Sequence, residues 1–146
     1  MKYLMIFFLF LGIGCLQSVT YAEDTYPIQL SIIDTVQLVH KDNSVKGLRL
    51  SLIYGTNEDV SGIDLGFMNE VRGDFSGIQF GDFSVVNGNA TGCQIGGVNF
   101  VYGKMSGIQI GIFNLAGELN GVQIGFINVN RKAKYSKFFP IVNMSF

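Results

Sequence analysis

Few residues in this chain could do covalent or metal chemistry. His40 is the one histidine, and the cysteines are Cys15 and Cys93. A histidine working as a base needs a positioned nucleophile. His40 stands beside the polar break Lys41-Asp42-Asn43-Ser44 with no such partner, so it reads as a loop histidine. No cysteine or histidine spacing suits a metal. Gly97 to Lys104 has the outline of a phosphate loop. It is one residue too long, and Met105 stands where Ser or Thr would hold magnesium. Asn89-Ala90-Thr91 and Asn143-Met144-Ser145 match glycosylation sequons, which are chance matches if the host is bacterial. The chain therefore reads as a non-enzyme with no cofactor.

The residues that do recur at fixed spacing are glutamines. Gln79, Gln94 and Gln109 are 15 apart, Gln123 follows 14 later, and Asp64 precedes them by 15. Each sits in one copy of a repeat. The copies begin at Ser61-Gly62-Ile63-Asp64-Leu65-Gly66, Ser76-Gly77-Ile78-Gln79-Phe80-Gly81, Thr91-Gly92-Cys93-Gln94-Ile95-Gly96, Ser106-Gly107-Ile108-Gln109-Ile110-Gly111 and Asn120-Gly121-Val122-Gln123-Ile124-Gly125. Gly47-Leu48-Arg49-Leu50 is a worn first copy. A short fixed period means identical units that stack or lie side by side.

Within a copy the alternation has period two, the signature of a β-strand. A helix is excluded, because a glycine every four residues costs about 1 kcal/mol each. One strand face carries Asp64, Gln79, Gln94, Gln109 and Gln123 with Gly66, Gly81, Gly96, Gly111 and Gly125. The other carries the apolar residues, such as Ile63, Ile78, Ile108 and Ile110. The expectation is that the aliphatic face fills the interior. Gln79, Gln94, Gln109 and Gln123 then form a flat, repetitive interaction face. Stacked glutamines can hydrogen-bond along the stack, and glycines admit a close backbone layer. Asn69, Asn99, Asn114 and Asn128, with Ser84 in the equivalent place, read as strand ends and turn caps. Gly73, Gly88, Gly103 and Gly117 read as the turns.

The 146 residues suffice for one domain. Lys2, the apolar run Tyr3 to Gly14 and the small-residue exit before Glu23-Asp24 describe a secretory signal peptide over residues 1–22. Leu11-Gly12-Ile13-Gly14-Cys15 is also a loose lipoprotein box, so Cys15 is a candidate lipidation site that would tether the chain to a membrane. Cleavage after Ala22 is the favoured reading. Either way Cys93 is left alone, as a small apolar residue in a slot otherwise held by Ile or Val. Beyond Ala22, nine basic residues face eleven acidic ones, which speaks against nucleic acid as a partner. Arg131-Lys132-Ala133-Lys134-Tyr135-Ser136-Lys137 is the one basic cluster and reads as a solvated loop.

Two assemblies fit the strands. One is an all-β solenoid of about six 15-residue coils with atypical capping strands. The other is a small eight-stranded antiparallel outer-membrane barrel. In a barrel meander, neighbouring strands run oppositely and short and long loops alternate, giving a period near 30. The observed 15 favours the solenoid. Residues 23–46 then form N-terminal capping strands, 47–130 the repeats, and 131–146 a basic loop and closing strand.

The run Ile53-Tyr54-Gly55-Thr56-Asn57, then Val60-Ser61-Gly62-Ile63-Asp64-Leu65-Gly66, then repeated Gly-x-Gln-x-Gly-x-x-Asn, resembles a surface-repeat family of leptospiral and other diderm bacteria. The ending Phe139-Pro140-Ile141-Val142-Asn143-Met144-Ser145-Phe146 resembles that family's closing segment. The resemblance covers nearly all of residues 26–146. It implies export, often as a lipoprotein, and no established biochemical activity. The expected location is the cell surface, outer membrane or periplasm of a diderm bacterium, with an unknown envelope ligand or a membrane as partner. The flat repetitive face suggests adhesion, scaffolding or envelope interaction. Asp82 and Gly97 depart from the family's apolar pattern, which makes an uneven core around the second and third repeats an expectation. The head repeat of trimeric adhesins is a more distant likeness, without the stalk.

Overall fold

A computed structural model describes residues 25–146. The candidate signal peptide and Cys15 lie outside the described residues. Ten strands and no helix make up this part: β1 (Thr25–Ile33), β2 (Val36–Gln37), β3 (Ser44–Asn57), β4 (Val60–Val71), β5 (Phe75–Phe80), β6 (Phe83–Val86), β7 (Ala90–Ile95), β8 (Val98–Ile110), β9 (Phe113–Asn130) and β10 (Phe138–Ser145). They wind into a β-solenoid of about seven turns, not a barrel. The decisive feature is pairing direction. Val60–Leu65 of β4 lies parallel to Phe75–Phe80, and those residues lie parallel to Ala90–Ile95, each step in register by 15 residues. The second half of each coil stacks likewise, Met68–Val71 on Phe83–Val86 and Phe83–Val86 on Val98–Val101. A barrel meander would have paired these strands antiparallel.

Each coil is thus two short strands joined by a corner (Gly66-Phe67 in the second repeat coil) and a turn (Arg72-Gly73-Asp74). The 14-residue step near the end is absorbed at a turn, where Val101↔Ala116 gives way to Lys104↔Glu118. One extra residue in β3, between Ser51 and Tyr54, is absorbed at a corner as a bulge.

The faces are the reverse of the expected ones. Gln79, Gln94, Gln109 and Gln123 are fully buried, while Ile63 retains 47% of its surface and Ile78 44%. The glycines explain the inversion. A 15-residue coil has a path of about 50 Å at ~3.3 Å per residue, so its two strands lie almost back to back. The face with glycines must be the concave one. At Gly92 (φ +121°) a Cβ would lie 2.0 Å from the carbonyl oxygen of Gly77 in the preceding coil, a clash on top of a backbone conformation that favours glycine. In the second glycine row, a Cβ on Gly111 would lie 2.6 Å from Nδ2 of Asn99. The first row brings coil onto coil; the second clears space for the asparagines. Isoleucines have no such space and turn outward.

The asparagines also differ from expectation. Asn69, Asn99, Asn114 and Asn128 lie within strands and are buried in the interior, not at turns. The turn caps are instead Asp59, Asp74 and Asn89. Their side-chain oxygens accept from the backbone N–H of Asp74, Asn89 and Lys104, one coil on, at 2.7, 2.7 and 2.9 Å. The apolar core is a narrow strip at the turn end, including Val45, Val60, Phe75, Met105 and Leu119 from one strand layer and Val71, Val86 and Val101 from the other. Asp82 and Gly97 occupy the outer corner, so they leave this core untouched.

Both ends are capped. β1 pairs parallel with β3 and antiparallel with the short β2, and Gln29 brackets the backbone of Val39 with two side-chain hydrogen bonds. At the other end β10 runs antiparallel to β9, with a register shift between Phe139 and Ile141. Proline at 140 and a bulge on an outermost strand blunt an edge that could otherwise recruit another chain.

Candidate functional site: two inner polar rows and the outer apolar faces

The inner polar rows account for most of the chain's unusual residues. Asn143 Nδ2 donates to Gln123 Oε1 (2.7 Å), Gln123 Nε2 to Gln109 (2.7 Å), Gln109 to Gln94 (2.8 Å), Gln94 to Gln79 (2.7 Å) and Gln79 to Asp64 Oδ2 (2.6 Å). Every amide points the same way, and the row ends on a carboxylate, which only accepts. Arg49 closes it with a two-pronged contact, Nε to Oδ1 at 2.7 Å and Nη2 to Oδ2 at 2.6 Å, both side chains having no exposed surface. Nη1 donates to the Glu70 carbonyl at 2.8 Å. Arg49 and Asp64 are therefore one device. A glutamine at 64 would bring an NH2 donor toward the Arg49 fork; a carboxylate meets it with acceptors.

The second row runs the other way. Asn99 Nδ2 donates to Asn114 Oδ1 (2.9 Å) and Asn114 Nδ2 to Asn128 Oδ1 (2.8 Å). Ser84 interrupts it. Asn69 Oδ1, Ser84 Oγ and Asn99 Oδ1 are buried without a hydrogen-bond partner.

The candidate interaction residues Gln79, Gln94, Gln109 and Gln123 are thus brought together, but in the closed interior rather than on a surface. What faces outward is apolar. On one outer face, two ladders of paired residues cross eight strands. The first runs Ile28, Leu48, Ile63, Ile78, Cys93, Ile108, Val122, Met144, and a parallel one runs from Leu30 through Phe80 and Ile110 to Val142. At about 4.8 Å per strand the face is roughly 34 Å long. Cys93 belongs to this half-buried outer ladder, not to the interior, and burial pushes its thiol pKa up. The opposite face is partly covered by its own aromatics: Phe100 packs edge-on against Phe113 (5.4 Å) and Tyr102 (6.4 Å), and Phe67 against Phe83 (6.0 Å).

Charge gathers at the turn edge. Arg72 pairs with Asp42, which holds the Asp42 carboxyl below its ordinary range. Lys132 contacts Glu118 at 3.2 Å and lowers its pKa in the same way. On the outer side of β3, Tyr54 donates to Glu70; burial, then that bond, pushes its pKa up to about 12. His40 is exposed beside Asp42. Residues 97–104 form strand and turn, not a phosphate loop. The basic cluster is the exposed turn between β9 and β10. Among the described residues no three His, Cys, Asp or Glu side chains come together as metal ligands.

The inverted faces were missed because alternation marks two faces without saying which is inside. The signal that could have told them apart is the glycine pair on the glutamine side. In comparisons with known proteins, no family model, no curated protein and no solved structure matches the chain.

Proposed function

We propose that this is a non-enzymatic exported repeat protein that acts by contact at the bacterial cell envelope, as a scaffold or adhesive element. The observation that carries the reading is the polarity of the coil: amide chemistry is used up in internal hydrogen bonds, and the outer faces offer apolar contact area. Contiguous exposed apolar surface of this extent on a small chain marks a contact site. The order of charge, apolar run and small-residue exit in residues 1–22 supports export.

The test is fractionation of cells producing the full chain with a C-terminal tag, with mass analysis of the mature N-terminus. The expected product lies in the envelope fraction and begins at residue 23, or at a lipidated Cys15. An unprocessed chain in the cytosol would overturn the reading.

A further inference from the structure

Resting on that envelope reading, we propose that the corner of the last coils inserts into the hydrocarbon boundary of a phospholipid bilayer. The corner consists of Ile112, Phe126 and Ile141, exposed by 63, 77 and 71%. These are among the most exposed large apolar residues of the chain, and they are neighbours. The row they continue is broken earlier by Asp82 and Gly97, which separate this stretch from the exposed Leu52 and Phe67 at the same corner of the first coils.

Three observations select lipid. First, the corner is convex and apolar on both flanks, with Ile110 and Ile124 on one and Ile127 on the other. A flat partner sheet covers one face, whereas hydrocarbon closes around an edge. Second, in these last coils charge lies at the far end; Asp82, on the same corner row, is two coils back, about 10 Å away. Lys104, Glu118 and Lys132 sit at the turns, about 20 Å from the corner at ~3.3 Å per residue along the strand. That separation orients an amphipathic body at an interface, with its apolar side roughly 5–10 Å deep. Third, the polar groups behind the corner are already occupied. Gly111 N–H donates to the Ile124 carbonyl (2.9 Å), Asn114 Nδ2 to the same carbonyl (2.9 Å), and Gln123 to Gln109. Burial in lipid is costly for unpaired backbone; here the pairing is coil to coil as far as β9, and only β10, the outermost strand at this end, pairs on one side alone. A groove of about 460 Å³, lined by Gly96, Gly111, Gly125 and their apolar neighbours, runs beside the corner.

The chain has no tryptophan, so a single introduced one reports its own surroundings. Phe126→Trp and Tyr135→Trp would be made in the full chain, isolated as the cell processes it and mixed with uncharged phosphatidylcholine vesicles carrying brominated acyl chains. Quenching is the decisive reading, because an unprocessed N-terminal apolar run or a lipidated Cys15 could hold the chain to vesicles by itself. Tryptophan at 126 should be quenched several-fold more than at 135, in the exposed basic turn. Adding Ile112→Glu to Phe126→Trp should reduce the quenching at least tenfold, with an unchanged β-type circular dichroism spectrum. Equal quenching at both positions, none at either, or indifference to Ile112→Glu would overturn the inference. So would a blue shift at 126 that follows protein concentration without vesicles and coincides with a dimer mass, which would assign the corner to a second copy. An envelope-located chain whose corner is not quenched sinks this inference alone; a quenched corner in a chain found unprocessed in the cytosol sinks the envelope reading alone.

Discussion

The glutamine row and the asparagine row lie side by side in the same narrow interior and fare differently. The glutamine row is continuous from Asn143 to Asp64 and is closed by Arg49. The asparagine row is sound from Asn99 to Asn128 and fails at Ser84, leaving Asn99 Oδ1 and Ser84 Oγ buried without partners. Both rows are fixed by the same 15-residue register, so geometry is not the difference. A row of identical amides satisfies itself only if every rung reaches the next. A serine is too short to reach, whereas the shorter side chain of Asp64 is accommodated because Arg49 and Gln79 both reach toward it. One substitution in each row thus has opposite consequences, because only one of them is matched by a partner.

The largest effect should come from removing that partner. Arg49→Ala leaves the Asp64 carboxylate buried with a single donor, and breaking a buried pair costs about 3–5 kcal/mol. Urea denaturation should show this, or the chain should fail to fold. The double change Arg49→Gln with Asp64→Gln extends the glutamine row by two rungs and should recover most of the loss. If the single variant is as stable as the parent, the row is not closed by this pair. Next in size is Gln94→Leu, in the middle of the row. It deprives Gln79 Oε1 of its donor and Gln109 Nε2 of its 2.8 Å acceptor. Gln109 Nε2 keeps its longer bonds to the Asn99 and Leu115 carbonyls (3.4 and 3.3 Å), so Gln79 Oε1 is the orphaned group and the cost is about 1–3 kcal/mol, despite the gain in side-chain hydrophobicity. A stabilised Gln94→Leu protein would mean the interior tolerates an aliphatic rung and is not held by its amide row.

How much of this was legible follows from the same residues. The spacing of Gly62, Gly77, Gly92, Gly107 and Gly121 reveals coils in equivalent environments, and the structure has them stacked glycine on glycine. Alternation also shows that Ile78 and Gln79 face opposite ways. It carries no sign, and the habit of placing isoleucine inside supplied the wrong one. The steric content of Gly81 and Gly96, which admit nothing larger on the concave side, carries the correct one. The interior role of Asn99 was hidden because asparagine is also a good turn residue. The pairing of Arg49 with Asp64 was hidden because each looks like an isolated departure from a glutamine consensus, and only the 15-residue register joins them. The outer corner was hidden for a simpler reason: Ile112 and Phe126 look like core until the core is known to lie elsewhere.

A repair should be smaller than a break, and Ser84→Asn tests it. The new Nδ2 would donate to the unpaired Asn99 Oδ1, and its own Oδ1 would accept from Asn69 Nδ2, joining the two parts of the row in its existing direction. Gly81 flanks position 84 as Gly96 and Gly111 flank the sound part, so room exists for the added amide. The expected gain is about 1 kcal/mol, a net hydrogen bond plus relief of an orphaned acceptor, seen as a raised urea midpoint at unchanged slope. A loss of stability would mean that Ser84 is shaped by packing rather than by omission.

The smallest effect concerns how the two rows end at the N-terminal side. The glutamine row ends in a fully buried ion pair. The asparagine row runs out at Gly55, the register partner of Asn69, and that strand pair is held from outside by the Tyr54 hydroxyl on Glu70. The two ends should therefore answer differently to alkali. Tyrosine loses its proton near pH 10 in the unfolded chain, but Tyr54 holds it to about 12 in the fold. The folded state thus binds more protons in that window. Its contribution is complete below about pH 10 and is lost as pH rises toward about 12. Tyr54 is only partly enclosed, so the loss is modest. Tyr54→Phe should flatten this component of the urea midpoint against pH while lowering stability slightly at neutral pH. An unchanged alkaline slope in Tyr54→Phe would place the pH sensitivity in other groups and leave the asparagine row with no tether at that end beyond its backbone ladder.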